Sequence, residues 1–235
     1  MKKKLIVFVI LTLTLNIEAQ FRKGVFSKDP IINMENWDQQ RVYWGFYLGM
    51  STYDYKFDYK TVGEDIQVQT STGFNVGIVG DLRLNEYFNL RFEPGLYISQ
   101  RDLNYPGFTQ KRDFLREVKS TNIHFPLLLK YCALRTGNVR PYLVGGVSAS
   151  LNLGSNSKVT DDNAQQIFRV KPWTTNYEVG FGVDLYLEYF KFSPSIRGVF
   201  GLTDELIRDR DPNSPWTSNI ESMKTRGVFI NFTFH

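Results

Sequence analysis

Two imidazoles, His124 and His235, and one thiol, Cys132, are all that 235 residues offer for nucleophilic or soft-metal chemistry. A single Cys forms neither an internal disulfide nor a Cys-rich zinc site, and no triad or zinc spacing is present. His124 shares its alternation with Asn122 and Lys130, which assigns it a hydrogen bond inside a strand-built interior rather than general-base work. The carboxylates Glu93, Glu178 and Asp184 recur with Arg83, Arg91 and Arg197 along one polar face. Acid–base catalysis is one use for such carboxylates, but charges of alternating sign at strand spacing point instead to ion pairs that rigidify a lumen. No catalytic, cofactor-binding or metal-ligating residue is assigned. The sharpest local sequence is 208–217, RDRDPNSPWT. Asp209, Asp211 and Asn213 have the spacing that opens a calcium loop, yet Ser214 stands where the turn glycine belongs and Glu221 falls one place late. Pro212 and Pro215 stiffen the segment, so the other reading is a docking loop in which Arg208, Asp209, Asp211 and Trp216 meet a partner.

The elements that carry these residues are strands. Thirteen Tyr and nineteen Phe beside eighteen Gly favour β-structure, while a mean hydropathy of −0.29 with dispersed charge excludes a bundle of apolar membrane helices. Period-two alternation begins near Tyr43. Trp44, Phe46, Leu48 and Met50 oppose Gly45, Gly49 and Ser51, and Phe74, Val76, Ile78, Leu82 and Leu84 oppose Asn75, Gly77, Asp81 and Arg83. Leu90, Phe92, Leu96 and Ile98 oppose Arg91, Glu93, Gly95 and Ser99 in the third. Five more strands are expected at 119–134, 140–153, 175–187, 191–202 and 225–234.

Short joins near Glu86, Gly137 and Tyr189 alternate with long polar ones at 56–73, 102–119, 154–174 and 203–224. This predicts an all-β fold, an eight-stranded antiparallel up-and-down transmembrane β-barrel of the outer membrane, with long loops outside and both termini periplasmic. A lipocalin-like barrel has the same strand number with its apolar face inward. The face that alternates with the apolar one decides against it: repeated Gly mixed with paired charges suits a crowded lumen, whereas a solvated surface favours Thr, Lys and Glu. Tyr87, Phe88, Tyr189 and Phe190 at the short turns fit an interfacial girdle. Pro94, Pro126 and Pro194 fall inside strands; rim bulges would accommodate Pro94 and Pro194, and Pro126 has no account in the sequence. The hairpins 74–94 and 177–194 share Val-Gly, Asp-Leu-x-Leu and Glu-Tyr-Phe, which either duplication or common hairpin grammar produces.

Lys2, Lys3 and Lys4 precede an apolar run to Leu15 with Ala19 after it, the pattern of a signal peptide over 1–19. Removing Lys2, Lys3, Lys4 and Glu18 with it takes the formal net charge from +4 to +2, so no nucleic-acid partner is implied. Residues 20–40 then form a periplasmic segment whose Trp37 has no strand of its own, making it a second candidate contact, and 41–235 form the barrel.

Asn36-Trp37-Asp38, Trp44-Gly-Phe-Tyr-Leu-Gly, Phe125-Pro-Leu-Leu-Leu-Lys, Arg140-Pro-Tyr-Leu-Val-Gly-Gly, Tyr189-Phe-Lys-Phe-Ser-Pro and the Asp-Pro-Asn-Ser-Pro-Trp loop come in one order along the mature chain. In that order they resemble the PorT/SprT family of Bacteroidetes outer-membrane proteins. The resemblance implies a role in type IX protein secretion, and in gliding motility where present, as an accessory or assembly subunit in contact with other secretion subunits. It brings no catalytic residues and no cofactors. A monomeric barrel surrounded by outer-membrane lipid, too narrow to be the pore, is expected; the alternatives are a purely structural or a lipid-modifying barrel.

Overall fold

The computed structural model describes residues 31–63, 65–108, 110–159 and 167–235. The expected signal peptide, and the periplasmic segment as far as residue 30, lie outside the described residues. Ten antiparallel strands follow in chain order: β1 (Val42–Tyr59), β2 (Gln67–Thr70), β3 (Thr72–Arg83), β4 (Phe88–Phe92), β5 (Gly95–Asn104), β6 (Leu115–Cys132), β7 (Val139–Asn152), β8 (Trp173–Tyr186), β9 (Lys191–Gly201) and β10 (Ile220–Phe234). Strands β4 and β5 are two halves of one wall strand, and β2 is a short flap on β5. The remaining ring has eight staves and closes because β1 pairs with both β3 and β10. From Thr52 the register runs through Val228, Gly198, Val179, Gly145, Leu129, Leu90 and Leu82 to Val42, ten residues below its start. That stagger tilts the strands and sets the barrel's girth.

The outward side chains are large, apolar and exposed, with Trp44 at 71%, Ile78 at 58% and Phe181 at 59%. The inward ones are buried and largely charged, amidic, hydroxylic or phenolic, with a few apolar side chains such as Val79, Leu128, Val199 and Phe229 among them. This inversion is what a hydrocarbon surround requires and what a soluble ligand-binding barrel cannot tolerate. On β1 the outward band spans residues 42–50, which climb roughly 20 Å at the usual rise and a tilt near 45°. Above Met50 the polarity reverses: Thr52, Asp54, Lys56 and Asp58 face out, while Tyr53 and Tyr55 face in. The strands therefore run on past the apolar band, and the long joins are shorter than the sequence reading had them. Strand β1 continues to Tyr59, β6 begins at Leu115 and β10 at Ile220.

The proline expectation needs correction. Register is unbroken across Pro94, Pro126 and Pro194, so no bulge accommodates any of them. Pro94 and Pro126 instead sit beside each other in the wall, around Glu93. Ile78 donates to Pro94 O at 3.1 Å and Glu93 to Pro126 O at 3.3 Å, and the reciprocal donors are absent because proline has none. The Glu93 carbonyl is instead approached by the Tyr47 hydroxyl at 3.3 Å from across the lumen. The short turns are tight for local reasons. Gly137 takes φ +59° in the β6–β7 hairpin, and the Asn85 side chain accepts from the Tyr87 and Phe88 amides at 2.8 Å each.

Candidate functional site

Inward alternation brings Asp81 from β3, Arg91 and Glu93 from β4 and the wall beside it, Lys130 from β6, Glu178 and Asp184 from β8, and Lys191 and Arg197 from β9 into one buried layer. Arg91 meets Asp81 at 2.6 Å and Glu93 at 3.2 Å; Arg197 meets Glu93 at 2.8 Å and Glu178 at 3.4 Å; Lys130 meets Asp184 at 2.7 Å. Three cations thus pair with four carboxylates, and Lys191, buried in the same layer with its Nζ 4.9 Å from the Tyr43 ring, brings the layer's formal charge to zero without help from histidine. Such a layer is tolerable only when every charge is matched, since a lone buried ion is far more costly than a missing pair. Arg83 is not part of it, contrary to the sequence expectation. It is the last residue of β3, beyond the point where the lumen closes around a side chain, and its Nε donates to Asn85 O at 3.3 Å on the rim. Space for this layer comes from missing side chains: a Cβ on Gly95 or Gly77 would meet the Tyr47 hydroxyl, and one on Gly182 the Tyr142 hydroxyl.

His124 connects the layer to the residues above it. Its Nε2 lies 2.6 Å from Glu178 Oε1 and its Nδ1 2.6 Å from Ser150 Oγ. The sequence hid this hydroxyl–imidazole–carboxylate row because the members come from β7, β6 and β8, and only the register aligns them. The row has the order of a nucleophilic site but not its surroundings. The adjoining cavity is about 20 Å³, room for about one water molecule and not for an acyl group, and Glu178 is shared with Arg197. What the row can do is hydrogen-bond three strands to one another and lock their register.

At the short-turn end, residues 31–40 lie across the mouth. Asp38 accepts from Tyr186 Oη at 2.6 Å and pairs with Arg140 at 3.3 Å and Arg135 at 3.5 Å. Asn33 and Asn138 clasp the same segment, the Asn33 amide donating to Asn138 Oδ1 at 2.8 Å and Asn138 Nδ2 to Ile31 O at 2.7 Å. Arg135 also donates to Asn33 O. Trp37 is half-buried, its ring stacked on Tyr43 at 5.7 Å, so this residue with no strand of its own packs on the barrel itself.

At the long-loop end, Tyr55, Leu103, Tyr105, Val118, Phe168 and Leu206 are among the residues of a second, apolar core built above the membrane band. Beneath it the Arg101 guanidinium stacks 3.8 Å from the Tyr55 ring and donates to Thr225 Oγ1 at 3.1 Å; Thr225 in turn donates to Glu205 at 2.9 Å. Burial holds the Glu205 carboxyl above the usual range, with Arg101 acting against it. Trp216, expected as a presented face, packs into this cap instead. Its Nε1 donates to Asp113 O at 3.0 Å, Phe108 stacks on it at 5.9 Å, and the Arg116 guanidinium lies 4.8 Å away. Asp209 is likewise engaged, accepting from Ser214 Oγ at 2.5 Å and pairing with Arg169 at 3.3 Å, so its carboxylate is held within the loop. Asp211 closes the following turn by accepting from the Asn213 amide at 2.9 Å, and Arg208, about half exposed, bonds Glu221 O and Asp204.

Residues 20–206 match a family model described as outer membrane protein beta-barrel domain. Among solved structures, the outer membrane protein OprG from Pseudomonas aeruginosa is similar at 14% identity over 83% of this chain and 94% of that one, with a TM-score of 0.46. Neisserial surface protein A is similar at 12% identity over 80% and 95%, TM-score 0.39. The attachment invasion locus protein Ail of Yersinia pestis is similar at 10% identity over 83% and 98%, TM-score 0.35. No curated protein matches.

Proposed function

We propose that this chain, which belongs to the outer membrane protein beta-barrel domain family, serves type IX protein secretion as an accessory or assembly subunit and not as the conduit. The observation that carries the non-conduit reading is the neutral ion layer filling the lumen, with the Asp38 lid below it and the aromatic cap above. Among the described residues the cavity beside His124 holds about 20 Å³, room for about one water molecule, so in this reading the work falls to the two ends and the lipid-facing wall. The type IX assignment itself rests on the resemblance carried by the ordered motifs from Asn36 to the Asp-Pro-Asn-Ser-Pro-Trp loop. In this reading the long-loop end faces outside, both termini are periplasmic, the barrel is monomeric, and gliding motility depends on it where the cell glides. It catalyses no reaction, because its one hydroxyl–imidazole–carboxylate row is sealed from substrate.

The contact surface is the fourth long join, where the half-exposed Arg208 and the turn at Asp211 are available to a partner while Trp216 and Asp209 hold the loop in shape. Cargo export is compared in cells carrying Arg208→Ala with Trp216→Ala and in cells carrying Trp37→Ala, each with normal barrel level and heat-modifiable gel migration. Loss of export in the loop variant is expected. Export unchanged by deletion of the whole chain refutes the secretion role, and failure of only the Trp37 variant moves the contact to the periplasmic lid. Bilayers containing only this protein should show no conductance wide enough for folded cargo.

A further inference from the structure

At the short-turn rim, where β1 begins and β3 ends, a concavity of about 360 Å³ is lined by Gln39, Arg41, Leu82, Arg83, Leu84 and Asn85. Two arginines are fixed side by side there: the Arg83 amide donates to Arg41 O at 2.8 Å, and Val42 pairs in register with Leu82. The Arg41 side chain is exposed and has no hydrogen-bond or ion-pair partner among the described residues. Arg83 uses only Nε, on Asn85 O, leaving its terminal nitrogens without a carboxylate. The exposed apolar side chains Val42 and Leu84 adjoin them on the lipid-facing wall. The pit thus combines unneutralised positive charge at the edge of the hydrocarbon band with an apolar wall above it.

A guanidinium fork matches phosphate oxygens two at a time, and an arginine at a membrane rim keeps its head in the interface while its stem lies along apolar surface. We propose that Arg41 and Arg83 hold the phosphate of an anionic phospholipid in the periplasmic leaflet, its acyl chains lying over Val42, Leu82 and Leu84. With two cations and no carboxylate in the pit, a lipid of net negative charge is preferred over a zwitterionic one whose own ammonium would meet the arginines. This inference rests on the orientation given under the proposed function.

The test is retention of phosphatidylglycerol against phosphatidylcholine by the full chain, read by native mass spectrometry after extraction from nanodiscs containing both. The wild type should retain phosphatidylglycerol preferentially, and Arg41→Gln with Arg83→Gln should weaken that retention about 30-fold, each interfacial arginine contributing a factor of about five. If the double variant loses heat-modifiable migration, Arg41→Gln alone, at a residue with no partner to lose, should still show the roughly fivefold loss. Equal retention of both lipids by the wild type, or undiminished phosphatidylglycerol retention in the variants, overturns the proposal. Inorganic phosphate that displaces the lipid at matching concentration assigns the pit to a free anion and overturns it as well. Orientation is read separately, by protease access to the fourth long join on whole cells, so a failure of lipid retention and a failure of orientation are told apart.

Discussion

Arg197 is the residue whose removal most directly tests whether the lumen is held by charge matching. It is 2% exposed and stands between Glu93 at 2.8 Å and Glu178 at 3.4 Å. Replacing it with Met keeps most of the volume and leaves three cations facing four carboxylates. Glu93 retains Arg91 at 3.2 Å, but Glu178 loses its arginine and keeps only hydrogen bonds to His124 and Ser148. Breaking a buried pair from one side costs about 3–5 kcal/mol, and the figure belongs to the stranded carboxylate more than to the lost attraction. Neutralising that carboxylate should therefore restore stability: Arg197→Met with Glu178→Gln should be more stable than Arg197→Met alone by about 1–3 kcal/mol, although it has lost two charges instead of one. The assay is urea-dependent folding into lipid, with heat-modifiable migration reporting the folded fraction and the midpoint converted through a common slope. An Arg197→Met barrel within about 1 kcal/mol of wild type, well short of the expected cost of a stranded buried charge, would refute the charge-matching account. So would a double variant no more stable than the single one.

Three further outcomes follow from packing and titration. Gly95→Ala sets a Cβ against the Tyr47 hydroxyl and the Val76 carbonyl and should lower folding stability by about 1–3 kcal/mol, with part of the loss recovered by adding Tyr47→Phe; the same urea titration reads both. Trp216→Ala removes the contacts with Phe108, Arg116 and Asp113 O and should render the long joins cleavable by protease in lipid-embedded protein while the barrel midpoint stays unchanged; a shifted midpoint would place the cap inside the barrel's cooperative unit. Because burial raises the Glu205 pKa, its folded form binds a proton more readily than its unfolded form. The cap should then be most protected from protease below the ordinary glutamate range and lose that increment as pH rises through the raised value, and Glu205→Gln should flatten the profile.

The fold class was legible in the residues because a strand alternates with period two and hydrocarbon demands that every outward position be apolar. Trp44, Phe46, Leu48 and Met50 state that requirement without any tertiary information, and joins alternating between short and long state the meander. Even the upper edge of the membrane band is written in β1, where apolar residues change parity after Met50 and continue as Tyr53, Tyr55, Phe57 and Tyr59. That switch is the signal by which the outer cap could have been found from sequence.

Parity alone, however, says which face a side chain takes and nothing about its height in the barrel or its neighbour across the lumen. Those depend on the ten-residue stagger, a property of ring closure. Arg83 and Arg91 share a face in the sequence, yet closure leaves one on the rim and places the other against Asp81. Ser150 is 26 residues from His124 and Glu178 is 54, and only the registers of β6, β7 and β8 bring the three into line. Trp216 and Trp37 were indistinguishable from docking residues because a loop aromatic beside charges has the same composition whether it is presented or packed. The Asp113 carbonyl and the Tyr43 ring that receive them lie in segments whose approach is fixed by the fold. The sequence determined what each position must be to face lipid or lumen, because that is a local matter of period; which charges meet, and which aromatics are left over for a partner, was decided only when eight tilted strands closed on themselves.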